Sequence, residues 1–198
     1  GQIGVYAGAA GTVSVTGTGS SWTSNSSIYV GHFGSGTLTV GNGGIVDIDT
    51  SSIIGNQGGS VGTATVTGIG STWTSGNYLT VGHSGSGTLT VAQGGTVTNT
   101  DSMVGFNSGS TGKVTVTGAG SRWTNSGYIA VGQDGSGALN IEDGGAISNT
   151  SGYIAGGAGS TAAVTVKGAG STWTNSRDFA VGVSGSGTLT VAARGAVQ

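Results

Sequence analysis

The sequence predicts an all-β protein, a right-handed parallel β-helix of about eight three-stranded coils, two coils to each ~50-residue repeat. Three observations predict it. One phrase recurs four times, as SSWTSNSSIYVGHFGSGTLTV from Ser20, STWTSGNYLTVGHSGSGTLTV from Ser71, SRWTNSGYIAVGQDGSGALNI from Ser121 and STWTNSRDFAVGVSGSGTLTV from Ser171. Its tryptophans, Trp22, Trp73, Trp123 and Trp173, return every 50 or 51 residues. Between them, short runs of alternating apolar and Thr/Ser residues are separated by Gly, Ser and Asn, the pattern of brief strands joined by turns.

Each repeat divides into two similar halves, and each half holds three such runs. Three strands in about 25 residues make one coil of a solenoid, with the chain returning one strand spacing further along the axis. The first strand of successive coils ends on Ile3, Val30, Ile54, Val81, Val104, Val131, Ile154 and Val181. At ~4.8 Å per coil the rod is expected to be about 40 Å long. Its handedness follows from the preference of parallel crossovers.

Side chains alternate across a strand, so the anchors fix the faces. Leu79 and Val81 point inward from the first strand, and Leu89 and Val91 from the second. The third contributes one large residue per coil, alternately aliphatic and aromatic: Trp22, Val46, Trp73, Val97, Trp123, Ile147 and Trp173. About five apolar side chains per coil are too few for a coil to stand alone, so stacking supplies the core. The chain is read as one solenoid over residues 1–198. Its units are approximately 1–27 (partial), 28–77, 78–127, 128–177 and 178–198 (partial).

Gly34-Ser35-Gly36 and its copies at 85–87, 135–137 and 185–187 fall between the first and second strands and are expected to form tight corners. No helix pattern follows them, which argues against a phosphate-binding loop. Two residues beyond the third-strand position runs a polar column, Asn99, Asn125, Asn149 and Asn175, preceded by Ser24, Ile48 and Ser75. An inward column would bond the backbone of its own coil and the amide of the next, as buried polar groups require. Asn149 also begins a glycosylation sequon, which a buried ladder position would protect from modification.

Glycine makes up 45 of 198 residues, proline and cysteine are absent, and 6% of residues are charged. Glycine follows no three-residue period, which excludes collagen. Five Lys and Arg are scattered singly, so no basic face for nucleic acid exists. No apolar run is long enough to enter a membrane as a helix.

The phrase Gly70-Ser71-Thr72-Trp73-Thr74, then Val81-Gly82, then Gly85-Ser86-Gly87-Thr88-Leu89-Thr90-Val91 and Gly94-Gly95 resembles the repeat of bacterial autotransporter (type V secretion) passengers and PEP-CTERM-sorted exported proteins. The resemblance covers nearly the whole chain. It implies export, a β-helical stalk, and display on or release from the bacterial surface. It brings no catalytic motif and no cofactor. Absent cysteine and proline fit passage of an unfolded chain through an outer-membrane pore.

The chemical candidates are few. His32 and His83 share one repeat position but would lie ~9.6 Å apart, too far to share a zinc ion, and read as exposed turn residues. Asp47 and Asp49 alternate on one strand, facing solvent beside Thr23, Thr74 and Thr98, without a basic partner. They are the one place for glycosidase-type or calcium chemistry. The second strand offers Thr pairs: Ser14 with Thr16, Thr37 with Thr39, Thr65 with Thr67, Thr88 with Thr90, Thr115 with Thr117, Thr188 with Thr190. These resemble an ice-binding plane, broken by Ala138, Asn140 and Lys167. Outward beside the anchors stand Tyr29, Ile53, Met103 and Tyr153, a candidate binding stripe interrupted by Thr80 and Ala130.

The expected function is therefore a non-catalytic, adhesive stalk of an exported bacterial surface protein, in adhesion, biofilm or filament assembly. Its partners would be surface proteins or glycans; since neither end shows a capping element, the chain is expected to be either a segment of a longer repeat array or a unit that stacks end to end with other copies. The alternatives are a carbohydrate-active β-helix enzyme and an ice- or glycan-binding surface.

Overall fold

The computed structural model describes residues 1–198. The chain winds into a parallel β-helix of three sheets with eight strands each. One coil reads Tyr78–Val81 in the first sheet, Ser86–Ala92 in the second and Thr96–Asn99 in the third. Every strand pairs in parallel with its counterpart one coil before and one after. Val81 lies between Ile54 and Val104, and Val104 pairs onward with Val131. The anchors thus sit on adjacent rungs, and the repeat sets the register throughout.

The inward residues form one continuous core from Ile3 to Trp173. In the third sheet Val97 is paired with Trp73 on one side and Trp123 on the other. An aliphatic side chain thus separates successive indoles along the axis, and each indole reaches back to a polar partner of the coil before it. Trp73, Trp123 and Trp173 are fully buried. They are core, not sugar-stacking platforms.

Two of the expected core residues lie where the stacking runs out. Trp22, in the first coil, is only half-buried. Val181 points toward the core axis but is 43% exposed, because it lies in the last coil and nothing packs on its far side.

The tight corners are not where the Gly-Ser-Gly triplets lie. Ser35–Gly41 and Ser86–Ala92 are strand from their first residue. The left-handed residue is the glycine directly after the anchor, such as Gly82 at φ 74°. Gly87 is glycine for want of space: a Cβ there would overlap the Gly82 backbone nitrogen, which lies across the corner of the same coil. Alternation shows where strands run, but a left-handed turn and a crowded backbone both read as glycine.

Asn99, Asn125 and Asn149 of the polar column are buried, as its spacing predicts, while Asn175 in the penultimate coil is half-buried, and the column is two pairs and not a continuous ladder. Asn99 Nδ2 donates to Asn125 Oδ1 at 2.9 Å and, where the chain enters the next coil, to the Asp101 carbonyl at 2.8 Å. Asn149 Nδ2 donates to Asn175 Oδ1 at 2.6 Å. Nothing joins Asn125 to Asn149, and the Asn125 and Asn175 amide nitrogens have no partner. The pairs break because the oxygens of Asn99 and Asn149 are taken by indoles. Trp123 Nε1 donates to Asn99 Oδ1 at 2.8 Å, and Trp173 Nε1 to Asn149 Oδ1 at 2.6 Å. Trp73 Nε1 instead donates to Ser52 Oγ at 3.2 Å. Ser52 in turn bonds Ser75, which holds the column's place in that coil. The column exists to satisfy indole N–H groups that burial would otherwise strand.

Candidate functional site: an aromatic groove on the first sheet

The outer face of the first sheet carries the site. Its central column runs Tyr29, Ile53, Thr80, Met103, Ala130, Tyr153 and Ala180, one residue per coil in direct register. Large and small residues alternate from Ile53 onward. Thr80 and Ala130, which interrupt the stripe in the sequence, are its small members, and of the two only Thr80 lines a recess.

Neighbouring columns build walls beside this column. Two residues before the centre, Tyr78 pairs with Asp101, and Tyr128 pairs with Ser151. On the other side, beyond the left-handed glycines, stand His83, Phe106 and Gln133. The His83 and Phe106 rings pack at 5.2 Å between centroids. Two recesses result. One, of about 380 Å³, is lined by Ser51, Ile53, Tyr78, Thr80, His83, Met103, Phe106 and Tyr128. The other, of about 350 Å³, is lined by Phe106, Tyr128, Gln133, Tyr153, Gly156 and Val183. They share Phe106 and Tyr128, so they form one groove that runs along the helix axis, across the strands.

Met103, expected to be exposed, is buried on the groove floor, where the Tyr128 hydroxyl reaches its sulfur at 3.9 Å. Thr80 and Ala130 are likewise covered by their larger neighbours, although both face outward. Tyr29 lies outside both recesses. Its ring packs 4.8 Å from His32, which packs 4.5 Å from Phe33. Tyr153 stacks at 6.4 Å from Tyr128 and belongs to the second recess.

Tyr128 is the pivot of the groove. Its backbone N–H donates to Asp101 Oδ1 at 2.8 Å. Burial, then the nearby Asp101 and Tyr78, raise its phenol above the usual tyrosine range. Its hydroxyl therefore stays protonated at any physiological pH. Because the folded-state value is raised, this contribution to stability is present below pH ~10 and is lost as pH climbs past it. Absorbance titration of the wild type against Tyr128→Phe is expected to show one phenol ionising above the ordinary range. A difference spectrum that rises at or below pH ~10 would contradict this.

Of the other candidates, His83 alone reaches the groove. His32 and His83 are half-buried rather than exposed. Asn56, in the intervening coil, has its side-chain nitrogen 2.9 Å from His32 Nδ1, and its carbonyl oxygen lies 3.3 Å from His83 Nδ1. Asp47 and Asp49 are exposed, with Asp47 between Thr23 and Thr74. The molecule's salt bridge lies elsewhere, between Lys167 and Glu142 at 3.0 Å.

The threonine ranks fall in a different register from the one the sequence suggests. Thr65 stands beside Thr39 and Thr90, and Thr63 beside Thr37 and Thr88. With Thr12 and Ser14 they form two unbroken columns over four coils. Lys113, Ala138 and Ala163 then end one column, and Asn140 interrupts the other, so the plane spans half the rod.

No family model, curated protein or solved structure matches this chain. The groove must be read from its own chemistry.

Proposed function

We propose that this protein is a non-catalytic, adhesive rod of an exported bacterial surface protein, and that the groove on its first sheet is the contact surface. The aromatic groove carries the reading. An apolar channel with polar tips at its rim, displayed on a rigid lattice, is built to hold a partner. No carboxylate lines either recess, and the neighbouring Asp101 accepts a hydrogen bond from the Tyr128 backbone N–H and positions the wall. The resemblance of the repeat to exported passengers supports a place outside the cell.

Labelled protein is expected to bind intact bacterial or host cell surfaces saturably and to release no soluble product from them. Replacing both Tyr78 and Tyr128 by Ala should remove that binding while the β-sheet circular dichroism persists. Undiminished binding by the double variant would discard the groove as the contact surface. Antibodies to the chain should label intact cells of the source bacterium, and labelling only after lysis would defeat export.

Self-stacking belongs to the same proposal. The coils alternate, with tryptophan or an aliphatic residue in the third sheet, from Trp22 in the first to Val197 in the last. A second copy set head to tail continues that alternation and covers Val181, Val183 and Val191, which are exposed in the last coil. Light scattering of the 198-residue chain should show rods that lengthen with concentration. A monodisperse monomer at high concentration refutes stacking.

A further inference from the structure

Resting on the reading of the groove as a contact surface, we propose that its occupant is a neutral, extended, equatorially linked glycan, a cellulose- or chitin-like chain lying along the helix axis. The first support is the period. Four lining positions of the first recess, Tyr78, His83, Met103 and Phe106, recur one repeat later in the second as Tyr128, Gln133, Tyr153 and Gly156, an offset of two strand spacings or ~9.6 Å. In an equatorially linked chain every second sugar presents the same face, and that disaccharide repeat has nearly this length. Successive disaccharides would therefore meet successive recesses, the first walled by Tyr78 and the second by Tyr128.

The second support is the wall chemistry. A pyranose ring is apolar on its faces and carries hydroxyls on its equator. The rings of Tyr78, Tyr128 and Phe106 offer flat apolar surface, while the Tyr hydroxyls, His83 and Gln133 offer partners at the rim. The third is charge. No Lys or Arg lines either recess, and Asp101 stands beside Tyr128, so a uronate-rich chain would be repelled. A peptide is disfavoured by direction. The groove runs across strands whose backbone groups are already paired along the ladder, so an extended peptide finds no edge to join.

Cello- and chito-hexaoses, with oligogalacturonate as the charged control, are the probes for calorimetry and for NMR shift mapping. A hexaose spanning both recesses is expected to bind at least about tenfold tighter than the matching disaccharide. Tyr78→Ala and Tyr128→Ala should each weaken it about tenfold, the loss of one stacked ring. Thr80→Tyr fills the first recess while both wall tyrosines are kept, and should abolish the length dependence. No binding of either hexaose, or equal binding of oligogalacturonate, overturns the glycan assignment. If the Tyr78/Tyr128 double variant still loses cell-surface binding, only the ligand class is wrong. If surface binding also survives, the contact reading falls with it.

Discussion

Asn99→Leu is expected to destabilise the rod by about 3 kcal/mol, although the new side chain is of similar volume and the site is in the core. The amide it removes accepts from Trp123 Nε1 at 2.8 Å and donates to Ser102 Oγ at 2.7 Å and Asn125 Oδ1 at 2.9 Å. Leucine makes none of these bonds. It strands a buried indole N–H, which alone costs about 1–3 kcal/mol, because unfolding would return that group to water. The paired substitution sharpens the test. Trp123→Phe removes the donor, so Asn99→Leu should cost less in its presence, with a coupling of at least about 1 kcal/mol. Chemical denaturation of the two single variants, the double variant and the wild type measures this. Costs that simply add would mean that the polar column does not serve the indoles.

That column shows how far the sequence could be read. Its burial was legible because the period of two is local: a residue two beyond an inward tryptophan is inward too. Its partner was not. Trp123 and Asn99 are 24 residues apart and meet only because Val97 pairs with Trp123. The anchors Val81, Val104 and Val131 were legible for the same local reason, and the repeat length then stacked them. The threonine ranks failed instructively. A slip of two residues keeps every inward side chain inward, so alternation cannot detect it, whereas a slip of one would have buried the threonines. Only the ladder, with Thr37 opposite Thr63 and Thr39 opposite Thr65, decides the column.

The groove was half legible. Tyr29, Ile53, Met103 and Tyr153 were found as one outward column, but Thr80 and Ala130 read as defects in a stripe. In three dimensions a column of uniformly large residues at a ~4.8 Å rise would close into a ridge, and Thr80 opens it at the first recess. Tyr78, Tyr128 and Phe106 were missed because they stand in columns flanking the anchors. The signal was present in the 50-residue spacing of Tyr78 and Tyr128.

Gly82→Ala should be more damaging than Asn99→Leu, at a site where the sequence shows only one glycine among many. Gly82 adopts φ 74°, which costs an L-residue about 1–2 kcal/mol by itself. Its missing Cβ leaves room for the carbonyl oxygen of Thr111, the first residue of the next coil's second strand. A methyl group would overlap that oxygen, and the oxygen cannot retreat without breaking the ladder on which the coil depends. Together the two effects are expected to exceed about 3 kcal/mol. In a solenoid such a loss severs one nearest-neighbour interface, so hydrogen exchange should accelerate first around Gly82 and Thr111. The same place in another coil offers the opposite sign. Ala155 takes the glycine's position at φ 57°, beneath a last coil that is held from one side only. Ala155→Gly should relieve the left-handed strain and gain up to about 1 kcal/mol, part of it offset by the freer unfolded chain. Equal denaturation midpoints for wild type, Gly82→Ala and Ala155→Gly would mean that coil spacing is not set at this corner. Opposite shifts would show that one left-handed residue per coil holds successive rungs at ladder distance, and with them the spacing of the two recesses.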